Sequence, residues 1–335
     1  MGSPNRNSLA IVDPVLTNFS LEYMQEKLVS ESGSGFGLTP DFFFPRVPHR
    51  GEGLTGRYTT YNLANRFTLP AGANLRRAPN TDYHPFDWDI SSQTYLIQDY
   101  GLGHRWDDDE ASASLRPVDL NRDSTEVAAD LTLLDYSRRV NAIVNSGTIT
   151  QTATAAAIAN GGGAAWDAAG SNPIGAVNTA VDTLYQATGI RPNRMVVGWD
   201  VWIDGLMNND EVISRIQAGN NMAGNADITP RLVGERLFNL DLRVDTGIIN
   251  TAVEGQTASL STSGTGMIGQ NAIIFYANPS PSLKSRTLGI TIHTDFGKVY
   301  RWRENPKTNV VAVSHMTSEE LVSAAFAYRI TSVVS

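Results

Sequence analysis

Apolar positions recur along this chain in two rhythms. Over residues 120–147, "LNRDSTEVAADLTLLDYSRRVNAIVNSG", Val127, Leu131 and Leu134 fall at helical spacing, as do Leu133, Tyr136, Val140 and Ile143. That pattern predicts a helix with a broad apolar stripe. Asp123 or Ser124 can cap its start and Gly147 can end it. At about 1.5 Å per residue the rod would be about 35 Å long. A second helix is predicted over "NPIGAVNTAVDTLYQATG", with Ile174, Val177, Val181 and Leu184 on one face and Gly189 as its stop. The apolar run "RMVVGW" after it reads as a buried strand. Leu16 to Leu28 form a shorter amphipathic piece, "DVWIDGLMNNDEVISRIQ" one or two short helices, and "TPRLVGERLF" another.

The second rhythm is that of strands. "GRYTTYNLANRF", "WDISSQTYLIQDYGL", "LDLRVDTGI", "NAIIFYA", "LGITIHT" and "GKVYRWRE" carry β-branched and aromatic residues. The terminal "NVVAVSHMTSEELVSAAFAYRITSVV" reads as strand, polar turn and strand. Four stretches are predicted to be irregular. "SESGSGFG" has linker composition, and "PDFFFPRVPHRGEG" is an apolar anchor that its prolines keep extended. "TLPAGANLRRAPNTDYHP" is too long a turn-rich tip for an ordinary hairpin, and the Ala-, Thr- and Gly-rich residues 148–171 mark a boundary or a mobile loop. Hairpin, long helix, mixed block and late strands, in that order and without an internal repeat, predict an α+β fold.

Composition narrows the chemistry. The 335 residues contain no cysteine, which excludes disulfides, thiolate metal sites and thiol nucleophiles. No apolar run is long enough to cross a bilayer, and a membrane partner is not expected. The formal net charge of −8 disfavours a dedicated nucleic-acid binder. No two of the five histidines lie at zinc-ligand spacing, and "DYHPFDWD" and "WDDDE" lack the pattern of a calcium loop. No Gly-x-Ser-x-Gly elbow is present. The helix–glycine–strand order around Gly189 reverses what a dinucleotide site needs. Catalytic, cofactor and metal residues are therefore expected to be none, and the protein is expected not to be an enzyme. An acidic hydrolase with paired carboxylates stays open as a different class, because such pairs meet only in space.

Charge is split along the long hairpin. Arg50, Arg57, Arg66, Arg76 and Arg77 face only Glu52 in its first half, whereas Asp82, Asp87, Asp89, Asp99 and then Asp107, Asp108, Asp109 and Glu110 face Arg105 afterwards. Such separation suits head-to-tail pairing of copies, and equally two solvated faces. Among the basic residues only Lys27, Lys284, Lys298 and Lys307 are lysine; arginine's planar fork favours ordered interface pairs.

The ordered set of elements resembles the major capsid (coat) proteins of tailed bacteriophages, with the Hong Kong 97-like fold. The resemblance rests on "FPRVP" (Phe44 to Pro48), the "GRYTTY" strand, "DWDISSQTYLIQDYGLGHRWDDDE", the helix of residues 120–146 and "AFAYRITSVV". Its most specific piece is "SNPIGAVNTAVDTLYQATGIRPNRMVVGWDVW", with Pro173, Pro192, Asn193 and Trp202. It implies an N-terminal arm and anchor (1–48), an extended β-hairpin loop (49–106) and a peripheral domain with the spine helix (107–150). An axial domain (151–290) and late strands returning to the sheet (291–335) would follow.

The implied function is a structural subunit that self-assembles into pentamers and hexamers of an icosahedral phage head around double-stranded DNA. The partners would be further copies, separate scaffolding and portal proteins, a cementing or decoration protein, and packaged DNA held non-specifically. The location would be the virion, after assembly in the bacterial cytoplasm. Arg66, Arg76 or Arg77 would pair with carboxylates among Asp107, Asp108, Asp109 and Glu110 of a neighbour, or with its spine helix. Some relatives cross-link through a lysine of the extended loop. Residues 50–118 hold none, so that chemistry is not expected here. The short stretch before "PDFFFP" favours a separate scaffolding protein. A related alternative is the shell of an encapsulin-like cellular nanocompartment.

Overall fold

The computed structural model describes residues 10–28, 35–61, 76–77, 79–82, 90–109, 119–220, 228–253, 255–262 and 267–335. The chain begins with β1 (Ile11–Val12), α1 (Pro14–Lys27), β2 (Phe36–Gly37), α2 (Pro40–Phe43) and β3 (Arg46–Pro48). Then come β4 (Thr55–Tyr61), β5 (Ile90–Leu96), β6 (Gln98–Asp107) and the long helix α3 (Leu120–Asn145). The middle of the chain holds β7 (Thr152–Thr154), α4 (Pro173–Thr188), β8 (Arg194–Gly198), α5 (Asp210–Asn220), α6 (Pro230–Val233) and β9 (Asp241–Asp245). The last part contributes β10 (Ile249–Asn250), β11 (Leu260–Ser261), β12 (Ala272–Phe275), β13 (Gly289–His293), β14 (Lys298–Arg303), β15 (Thr308–Leu321) and β16 (Ala327–Thr331).

Two six-stranded sheets organise these elements. In the first, β13 and β14 lie end to end along one side of β15, and β6 runs antiparallel along the other. β1 extends it beyond β14 and β3 beyond β13. The second has the order β2-β9-β8-β12-β16-β7. Side chains of β8 alternate between two cores. Met195 and Val197 join Leu184 of α4 and Ile216 of α5, whereas Val196 joins Val140 and Val144 of α3. Both faces of this strand are covered, which is why "RMVVG" reads as an unbroken apolar run. Leu133 and Tyr136 of α3 share the second core with Val299, Val311 and Val313 of the first sheet, so the long helix is the wedge between the sheets.

Local sequence explains the helix ends. Asn172 caps α4 by accepting from the Gly175 N–H at 2.7 Å, and Gly189 closes it at φ +65°. For α3 the cap is Asp119, which accepts from the N–H groups of Asn121 and Arg122, rather than Asp123 or Ser124. Ser124 is already inside the helix and bonds His104 of β6. Three other expectations are corrected. "PDFF" forms a helical turn, because Pro40 occupies its first position, where no N–H is needed. Residues 152–157 form β7 and a 3₁₀ turn, and Trp166 of the same stretch is buried. "SHMTSEEL" continues β15 instead of turning, since its polar side chains find buried partners.

One buried polar knot ties the anchor, α3 and β9 together. Asp245 accepts from Thr39 Oγ1 at 3.3 Å and from Asn141 Nδ2 at 3.2 Å. Burial raises its carboxyl to about 6, against the pull of those hydrogen bonds. Between the ordinary carboxylate value and 6 the folded chain therefore holds a proton that the unfolded chain has released. This contribution is full below pH 4 and is lost as pH rises through 6, by up to about 3 kcal/mol. In urea titrations at pH 4.5 and 7.5, Asp245→Asn should gain about 2 kcal/mol on the unsubstituted chain between the lower and the higher pH.

A close backbone approach supplies a second test. A Cβ at position 198 would lie 1.7 Å from the Gly269 carbonyl oxygen. Gly198→Ala must push two backbone segments apart and should cost several kcal/mol, on the order of 3 or more. Thermal melting by circular dichroism reads the loss.

Candidate inter-subunit surfaces

β4 and β5 pair over seven residues, Thr55 with Leu96 through Tyr61 with Ile90, and join neither large sheet. Their base is clamped. Tyr58, Tyr95 and Ile97 pack with Val47, Ile290, Ile292 and Val322. His49 Nδ1 lies 2.8 Å from the Tyr95 hydroxyl, and the Tyr58 hydroxyl donates to Gln93 at 2.8 Å. Gly56 sits directly beneath the Tyr95 ring, where any Cβ would meet ring carbons. Beyond the clamp the ribbon is polar; Arg57 and Ser91 through Thr94 are exposed. A two-stranded ribbon of this kind is marginal by itself in water.

The charged residues singled out from sequence fall in three places. Arg66 and Glu110 lie outside the described residues. Arg76 and Arg77 are exposed. Asp107 ends β6 half-buried, and Asp108 and Asp109 follow it onto the β14–β15 turn. There Asp108 accepts from Arg303 at 3.0 Å and Asn309 at 2.7 Å, and Asp109 accepts from Lys307 at 2.9 Å. Arg105 pairs with Glu304 at 3.1 Å. Asp108 and Asp109 thus meet cations of their own chain. These pairs are largely exposed, each worth about 0–1 kcal/mol, so they tie β6 to the turn without locking it.

Helix α3 has two unlike faces. Leu133, Tyr136, Val140 and Val144 are fully buried, whereas Val127 and Leu131, one turn apart, are 54 % and 49 % exposed. α1 crosses beside them, with the Tyr23 hydroxyl donating to Asp130 at 2.8 Å and Arg122 stacked on Phe19 at 4.6 Å. Leu102 of β6 is also exposed.

Sequence reasoning missed the cluster that fixes α3 to β15. Arg139 stacks on Tyr100 of β6 at 3.4 Å and pairs with Asp135 at 3.3 Å and Glu319 at 3.4 Å. His315 lies alongside, fully buried and edge-on to Phe296 at 4.2 Å, its ring nitrogens without partners among the described residues. Tyr136 donates to Asp41 at 3.0 Å, and Asp41 pairs with Arg46 at 3.0 Å. The one readable signal was Arg139 itself, an arginine next to the apolar stripe of α3.

Burial, then the cations Arg139 and Arg46, hold His315 down at about 3. Burial raises Glu319, opposed by Arg139. The folded chain keeps His315 neutral while the unfolded chain protonates below about pH 6.5, so this contribution is full above 6.5 and is lost as pH falls. Between pH 7.5 and 5 the loss is about 2 kcal/mol. His315→Leu should remove that loss, read as a gain of about 2 kcal/mol over the unsubstituted chain between pH 7.5 and pH 5 in urea titrations.

No protein-family model matches the chain, and no curated protein sequence matches it. Solved structures do. A phage-related protein from Bordetella bronchiseptica RB50 superposes with a TM-score of 0.67 at 18% identity, over 97% of this chain and 98% of that one. The capsid of cyanophage P-SCSP1u gives 0.54 at 9% identity, over 86% of each chain. A virus-like particle from Pyrococcus furiosus gives 0.53 at 11% identity, over 94% of this chain and 97% of that one. The likeness runs over most of each chain, and the chain has the α+β fold of tailed-phage coat proteins.

Proposed function

We propose that the chain is a subunit of a closed protein shell, the major capsid protein of a tailed phage. In this reading pentamers and hexamers form an icosahedral head around double-stranded DNA. The observation that carries it is the β4–β5 ribbon. It is clamped at its base, polar along its length and supported by no third strand among the described residues, and the fold around it is the one found in the cyanophage capsid. Such a ribbon gains by lying on a neighbouring copy, and the open Val127 and Leu131 give it an apolar floor. Arg66, Arg76 and Arg77 would then reach a neighbour's acidic surface. Asp108 and Asp109 would contribute less than their number suggests, since Arg303 and Lys307 already meet them. Scaffolding and portal proteins would act as separate partners, and assembly would take place in the host cytoplasm.

A nanocompartment shell is the second reading, favoured by the likeness to the Pyrococcus furiosus virus-like particle. The hydrolase reading gains nothing from the geometry. The two carboxylates held above their ordinary range, Asp245 and Glu319, are in the core, away from the surface clefts.

Sedimentation of the purified chain, with electron microscopy of the heavy fraction, tests the proposal. Closed shells, tubes or capsomer rings are expected, with DNA cargo separating a phage head from a nanocompartment. A small species that also fails to assemble when co-expressed with its neighbouring genes would overturn it. Val127→Asp with Leu131→Asp alters only exposed positions, so monomer stability should move by about 0.5 kcal/mol or less while the heavy fraction falls.

A further inference from the structure

Two clefts of opposite charge lie at opposite corners of the second sheet. The first, of about 710 Å³, opens where β8 and β9 begin. Arg191, Arg231 and Arg243 line it with Glu235, Asn239 and Asp241. Arg231 pairs with Glu235 at 2.7 Å and Arg243 with Asp241 at 2.9 Å, while the Asn239 carbonyl accepts from Arg191 at 3.2 Å. Arg194, immediately behind, donates to the Phe42 carbonyl and stacks on the Phe42 ring. Four guanidiniums therefore gather about two carboxylates, in a chain of net charge −8.

The second cleft, of about 440 Å³, holds Asp167, Asp204, Asp210 and Glu211. The only cation paired with any of them among the described residues is Arg215, 3.6 Å from Glu211. Asp204 and Asp210 are exposed. Trp166 also lines this cleft; it is 1 % exposed, and its indole N–H has no acceptor among the described residues. Carboxylates thus outnumber cations at this cleft, whereas arginines outnumber carboxylates at the first.

Topology sets the two clefts apart. β16 and β8 are each antiparallel to β12, so they run in the same direction. Arg194 and Asp241 open β8 and β9, whereas the Trp166 N–H bonds Val333 just past the end of β16. One cleft is therefore at the starting ends of the strands on the β9 side, the other past the finishing ends on the β16 side. Distinct, complementary patches on opposite sides of one unit are what a head-to-tail contact requires, and such contacts close into rings when the rotation between copies closes. Two copies of the same patch would repel.

We infer that the arginine cleft of one copy docks on the acidic cleft of the next copy in a capsomer. The inference rests on the shell-subunit reading and adds the contact that sets its direction. Long arginine side chains can follow the small change in angle between rings of five and six.

Charge exchange tests it. Arg191→Glu with Arg231→Glu makes both clefts acidic; Asp204→Arg with Asp210→Arg makes both basic. Each variant should keep the far-ultraviolet circular dichroism of the unsubstituted chain while its shell yield falls by at least about tenfold, like charges now meeting at the contact. All four substitutions in one chain should restore shells. An equal mixture of the two variants should alternate around a ring, which closes for six copies but not for five, giving tubes or flat hexamer arrays. Shells from either folded variant alone, or none from the fourfold chain while it stays folded, would overturn the docking. Absence of shells from the unsubstituted chain even when co-expressed with its neighbouring genes would overturn the shell reading itself and this inference with it.

Discussion

The ladder between β6 and β15 is the constraint on which the rest of the structure depends. It pairs ten residues, Thr308 with Asp107 through Thr317 with Gln98. Two segments more than 200 positions apart in the chain thereby become neighbours. Because β15 holds β13 and β14 on its other side, this ladder also places the late strands under α3. And because β5 is separated from β6 by Ile97 alone, its register fixes where the hairpin leaves the body. A shift of one residue would turn Tyr100 away from Arg139 and His104 away from Ser124, undoing the attachment of the long helix.

The interior is joined by polar contacts as much as by apolar ones. Asp245, Thr39 and Asn141 link the anchor, α3 and β9, while Tyr136, Asp41 and Arg46 link α3 to the anchor and the first sheet. Buried groups of this kind hold one arrangement because each has few alternative partners. Asp245 and His315 act against each other over pH, the first weakening the fold as pH rises and the second as it falls. Their windows overlap, so the two contributions offset each other between about pH 4 and 6.5. The outer surface is different in kind, with exposed ion pairs, open leucines and valines, and two clefts of opposite sign.

Much of this was legible in the sequence. The stripe Leu133, Tyr136 and Val140 gave the long helix, Asn172 and Gly189 bounded α4, and "RMVVG" was apolar on both faces because two cores need it. What stayed hidden depended on partners far away. The polar "SHMTSEEL" looks like a turn until Thr317 and Ser318 are seen buried in a central strand and Arg139 is seen opposite Glu319. Asp108 and Asp109 read as partners for a neighbour's arginines, whereas Arg303 and Lys307 of their own chain, almost 200 positions on, meet them, and nothing local names those two. Trp166 was lost in a low-complexity stretch, where one large side chain decides burial against many small neighbours.

The central claim is that the β4–β5 ribbon is completed by another copy rather than by its own chain. Hydrogen–deuterium exchange of residues 55–61 and 90–96, compared between unassembled subunits and the sedimenting particle, tests it most directly. Assembly should slow exchange along both strands by on the order of a hundredfold, since a ribbon open to water on its own becomes a covered one. Exchange that stays fast in the particle would mean that the ribbon projects into solvent, and the account of what holds the shell together would be wrong.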